Sequence, residues 1–129
     1  MQKGFWKDIS VIEISIIFAI VGSIIAVTWP HFEYFQCSSK QSEAKFLLSY
    51  IYSAQKLHEA QLGEYTTLEE LLRKHRIALS PKYYHFSTGP GTNARYFEVK
   101  AEILTGKNQG DAWSIDQDNN LININNMCK

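Results

Sequence analysis

Between Ile9 and Trp29 the chain reads ISVIEISIIFAIVGSIIAVTW, and Glu13 is its only charged side chain. At about 1.5 Å of rise per residue, roughly twenty such residues cross a hydrocarbon core of about 30 Å. The run therefore reads as a membrane span. A cleaved secretory signal is the first rival, but its apolar stretch covers about 7–15 residues and ends in a small-x-small site. This stretch is longer and ends in Thr28, Trp29 and Pro30. Lys3 and Lys7 precede it, which favours a cytoplasmic N-terminus. The bulk of the chain then lies outside the cytoplasm, where a disulfide is permitted. Two cysteines allow one pairing, Cys37 with Cys128; two free thiols are the alternative.

The 129 residues leave room for one small domain beyond the span. Thirteen basic and thirteen acidic side chains cancel, so the basic excess that phosphate binding demands is missing. Arg73, Lys74, His75 and Arg76 form the densest basic run, and a solvated helix end accounts for it. No nucleic-acid partner is expected.

Helical periodicity continues past the span. Apolar residues recur at Ala44, Leu47, Leu48, Ile51, Ala54 and Leu62, with Lys40, Gln41, Glu43, Lys45, Lys56 and Glu59 opposite. That pattern is an amphipathic helix with one stripe to bury. Gly63 supplies a stop. The simplest reading is one helix from about Ile9 to Leu62, bent or loosened near Gly22, which costs about 1 kcal/mol relative to alanine, and Pro30, which lacks an N–H. Thr67-Leu-Glu-Glu70 matches a capping box and opens a short helix to about Arg76. Beyond it, Tyr83–Ser87, Tyr96–Leu104, Ala112–Asp116 and Leu121–Ile124 read as strands separated by turn-rich segments. The expected class is α+β: a long N-terminal helix whose apolar stripe is covered by a small antiparallel sheet of about three to four strands.

Chemistry is hard to find in this chain. His31, His58, His75 and His85 show no tight ligand spacing, and Asp111, Asp116 and Asp118 lack the spacing of a calcium loop. No motif frames a nucleophile. Neither a metal, nor a cofactor, nor an enzymatic activity is expected. Glu13 is the informative residue, since a carboxylate at the centre of a span costs about 2.5–3.5 kcal/mol. Near the cytoplasmic edge it can snorkel to water, or it can await a cation, such as a free α-amino group, on another chain.

These residues bring a family into view. Ile9-Ser-Val-Ile-Glu13 resembles the start of a mature type IV pilin, where an apolar residue, Thr or Ser, two aliphatics and a glutamate follow the prepilin peptidase site. Gly22 and Pro30 fall where pilins carry their helix-loosening glycine and proline. Ser39–Lys45, Ile51–Gln55 and Gly63–Thr66 resemble the second half of the pilin helix and the loop after it, and Gly110–Asp116 and Cys128-Lys129 resemble the end of the family's chain. One residue departs from the pattern: Asp8 stands where the peptidase normally meets glycine.

The resemblance implies a pilin fold in three parts. Residues 1–8 would be a cytoplasmic leader-like segment, 9–30 the transmembrane and polymerisation half of the helix, and 31–129 the extracytoplasmic domain with the amphipathic half. It implies processing between Asp8 and Ile9, and filament register set by Glu13 against the Ile9 amine of a neighbour. It implies partners: other copies in a helical filament, other pilins, the assembly platform and the prepilin peptidase. The chain would sit in the bacterial inner membrane before assembly and in an extracellular pilus after it. A type II secretion pseudopilin and a single-pass membrane-anchored binding protein are the alternatives.

Overall fold

The computed structural model describes residues 9–128. Its elements are two helices, α1 (Val11–Leu62) and α2 (Leu68–Lys74), followed by four strands, β1 (His85–Thr88), β2 (Glu98–Glu102), β3 (Ala112–Asp116) and β4 (Leu121–Asn125). The expected α+β class is what the chain adopts. Two compact units divide between Phe35 and Gln36, and α1 belongs to both.

In the first unit α1 begins at Val11 and passes through Gly22 and Pro30 as helix. The Pro30 ring leaves no N–H to offer the Ala26 carbonyl. Nearby side chains bond to their own turns: Thr28 Oγ1 donates to the Ile24 carbonyl at 2.7 Å, and His31 Nδ1 lies 3.1 Å from the Val27 oxygen.

In the second unit the sheet is a meander in the order β1-β2-β3-β4, each neighbouring pair antiparallel. β2 shows why the strand forms where it does. Phe97, Val99, Ala101 and Ile103 are buried, while Glu98, Lys100 and Glu102 alternate with them on the other face. Val99 pairs with Ile115 and Ala101 with Trp113. This inner face meets Ala44, Leu48 and Ile51 of α1, with Leu68, Leu71 and Tyr84 completing the core.

The buried stripe of α1 is Cys37, Gln41, Ala44, Leu48, Ile51, Gln55 and His58. Its steps alternate between four and three residues, the spacing that keeps one helix face on a partner. Gln41, expected on the solvent face, is buried. Leu62, expected in the stripe, is 48% exposed. Polar residues at both ends of the stripe explain the difference, because their partners come from remote segments. Gln55 clamps the loop after α1, donating to the Thr66 carbonyl at 2.6 Å and accepting from the Thr66 N–H at 3.2 Å. Gly63, at φ +77°, ends α1 in the left-handed region that glycine enters without strain.

α2 starts at the expected cap. Thr67 Oγ1 accepts from the Glu70 N–H at 3.4 Å. The reciprocal half of the box is replaced, because the Glu70 carboxylate takes Arg73 at 2.6 and 2.7 Å.

Candidate functional site

Two residues cap the N-terminal end of α1. Ser10 precedes the helix, its backbone N–H donating to Glu13 Oε2 at 2.8 Å, and Ser10 Oγ accepts from the Glu13 N–H at 3.4 Å. Together they form a reciprocal capping box. Its sequence signature, Ser-x-x-Glu, stands in plain view in the chain, yet it is masked by the apolar residues around it and by the attention Glu13 draws for its charge. Ser10 is thus a functional candidate that sequence reasoning passed over. Ile9 lies beside it, and Asp8 falls outside the described residues.

Downstream, every residue from Ser10 to Gln36 is exposed. Fifteen large apolar side chains between Val11 and Phe35 are among them, including Phe18 at 73% and Trp29 at 70%. The largest apolar patch of a typical soluble monomer covers about 300–600 Å², and fifteen such side chains far exceed it. A helix apolar on every face is one that another medium or another chain surrounds. Its few hydroxyls are already satisfied: Ser15 donates to the Val11 carbonyl at 2.9 Å and Ser23 to that of Ala19 at 2.7 Å. The segment is long and apolar enough to cross a membrane. A Cβ added at Gly22 would meet nothing within 4 Å, so no packing among the described residues demands glycine there.

The second unit carries a polar centre that ties the sheet to the helix. Asp111 is fully buried. Its Oδ1 accepts from Gln41 Nε2 at 3.0 Å and the Met127 N–H at 2.9 Å; its Oδ2 accepts from the Tyr84 hydroxyl at 2.5 Å and Trp113 Nε1 at 3.2 Å. Four donors, two per oxygen, let a carboxylate sit in the core. Burial, and then the hydrogen bond to Asp111, pushes the Tyr84 phenol well above its ordinary pKa. Gln41 extends the network to Asn126 Oδ1 at 3.2 Å, which also accepts the Cys128 N–H at 2.9 Å. Beside it Cys37 and Cys128 are joined in a disulfide with Cα atoms 5.5 Å apart. The last residues of the chain are thereby fastened to the start of the stripe on α1. Among the described residues no three His, Cys, Asp or Glu side chains gather as metal ligands.

The residues expected to act in assembly and the disulfide thus fall in different units, Ile9, Glu13, Gly22 and Pro30 in the first and Cys37 with Cys128 in the second. No family model matches the sequence. Over 65 residues the chain is 40% identical to the type IV major pilin protein PilA of Myxococcus xanthus (strain DK1622). The match takes in 50% of this chain and 28% of that protein, so the chain spans less than a third of the relative's length. Among solved structures, a type IV pilin from Shewanella oneidensis aligns at 26% identity over 65% of this chain and 88% of that one, with a TM-score of 0.44. At that score the fold rests on this chain's own elements, and the likeness that carries weight is the one in sequence. With that likeness, and with a 52-residue N-terminal helix whose second half packs on a four-stranded antiparallel sheet, the chain is similar to type IV pilins in sequence over half its length.

Proposed function

We propose that the chain is a structural subunit of a type IV pilus, held first in the bacterial inner membrane and then polymerised into a helical surface filament. The observation that carries this reading is the uncovered apolar length of α1 between Val11 and Phe35, with Glu13 at its start. One rod suits both a lipid environment and the packed axis of a polymer. Residues 9–30 serve as span and polymerisation segment, and residues 31–129 form the extracytoplasmic domain. Other pilins, the assembly platform and the prepilin peptidase are its partners, with processing between Asp8 and Ile9.

Energetics divide the labour. Burying about 400 Å² of apolar surface per neighbour supplies about 10 kcal/mol at roughly 25 cal/mol per Å². An exposed ion pair contributes about 0–1 kcal/mol. Helix contacts therefore supply cohesion, and Glu13 facing the Ile9 amine of the next copy selects the axial register. Gly22 and Pro30 are where α1 loosens as the filament changes length.

Terminal mass spectrometry of the native protein, combined with electron microscopy of cells lacking it, tests the proposal. Expected are a chain beginning at Ile9 and surface filaments that disappear on deletion. A soluble, solitary native molecule without the apolar stretch would overturn it.

A further inference from the structure

His58 and His75 meet in the second unit, where no role in the pilin-like reading engages them. His58, 2% exposed, belongs to the buried stripe of α1; His75 caps the C-terminus of α2. His58 Nδ1 and His75 Nε2 are 2.9 Å apart, and the ring centroids are 5.2 Å apart at an interplanar angle of 75°. The centroid separation equals the nitrogen–nitrogen distance plus the two ring radii. The nitrogens therefore point at each other head-on, the arrangement of one N–H donor and one lone pair. Two imidazoles chelating a common ion would instead converge on a point to one side.

The segment this contact holds is under strain. Arg76 has φ +54°, a left-handed conformation that costs a side-chain-bearing residue. Its N–H donates to the Arg73 carbonyl at 3.4 Å, and the Ile77 N–H donates to that of Leu72 at 2.9 Å. These two bonds make a Schellman motif with arginine where glycine is usual. A cleft of about 340 Å³ lined by Tyr50, Ser53, Ala54, Leu57, His75 and Ile77 adjoins the contact.

We propose that the His58–His75 hydrogen bond is an acid-sensitive latch that holds the strained turn after α2 against α1 and opens when both rings are protonated. A neutral pair keeps the bond, and a singly protonated pair keeps it too, through the proton on the far nitrogen of the donor ring. The second proton removes the only lone pair and sets two cations face to face. The surroundings favour opening in acid. Burial first, then His75 and Lys74, hold His58 below its ordinary pKa, while Glu64 and Glu70 oppose them. The unfolded or opened chain then binds more protons than the closed one below about pH 6.5, so closure weakens as pH falls through that range.

Amide hydrogen exchange of the full chain in detergent micelles, corrected for intrinsic rates, tests the latch. Protection at Arg76 and Ile77 should drop about tenfold or more between about pH 7.5 and about pH 5, with Val99 and Ile115 unchanged. In His75→Gln, where a side chain that does not titrate can donate to neutral His58 through Nε2 and accept from protonated His58 through Oε1, that drop should vanish. Ring-nitrogen NMR of the unaltered protein should show the His58 ring gaining its proton in step with the loss of protection. Flat protection, a drop that tracks His31 or His85 instead, or an undiminished drop in His75→Gln would each overturn the proposal.

Discussion

Glu13 has two tasks within reach, and only one needs charge. In the single chain its carboxylate caps α1 through the Ser10 N–H at 2.8 Å. A glutamine side chain also completes a capping box, so Glu13→Gln separates the cap from the proposed ion pair. The variant should insert in the membrane with unchanged helix content by circular dichroism, yet assemble few or no filaments under the electron microscope. Filaments of normal number would leave Glu13 with the cap alone. Asp111 illustrates a carboxylate of the opposite kind, one whose four donors are all internal. Tyr84→Phe removes the hydroxyl from Oδ2 and leaves that oxygen with Trp113 alone. A buried acceptor losing a donor costs about 1–3 kcal/mol, measurable as a lower denaturation midpoint with an unchanged slope in urea.

At the level of elements, much is legible in the sequence. The alternation of Phe97, Val99, Ala101 and Ile103 with charged residues names β2 and its inner face, and Thr67 names the start of α2. β1 was less clear: the aromatic run from Tyr83 suggests strand, but pairing begins at His85, and Tyr84 instead turns inward to Asp111. Asp111 itself reads as a turn acid in a loop of Gly, Asn and Gln. The return of Gln41 from 70 residues upstream and Met127 from 16 downstream, with Tyr84 and Trp113, makes it a core residue. Hydropathy along the chain cannot register a donor that arrives by tertiary contact, and this also hid Gln55 and His58.

The β3–β4 turn offers a pH test. Asp116 is drawn two ways: burial raises its pKa, but hydrogen bonds from the Asn120 side chain and from the Asn120 and Asp118 backbone outweigh burial and lower it. Asp116 Oδ1 holds the Asp118 and Asn120 N–H groups at 2.9 and 3.0 Å. A depressed carboxyl pKa contributes stability that is whole above the unfolded value of about 3.9 and is lost as pH falls below it. Exchange at Asp118 and Asn120 should accelerate below about pH 4, and Asp116→Asn should remove that acid step.

Taken whole, the chain joins a segment that cannot remain bare in water to a unit closed by its own covalent link. Cys37 and Cys128 are 91 positions apart, and closing a loop of that order stabilises a fold by about 2–5 kcal/mol. Cys37→Ser with Cys128→Ser should lower the unfolding temperature without altering membrane insertion.

That link also governs how the molecule carries a mechanical load. Tension applied between the N-terminal segment and the end of the chain travels along the helix to Cys37 and crosses the sulfurs to Cys128. The chain between them, across a sequence separation of 91, bears none of it. In an optical trap the oxidised protein should therefore show no lengthening step from the sheet, whereas the reduced one should pay out roughly 300 Å of slack at about 3.3–3.6 Å per residue. A subunit wired this way confines any lengthening to the helix ahead of Cys37 while the strands beside the load path stay at rest.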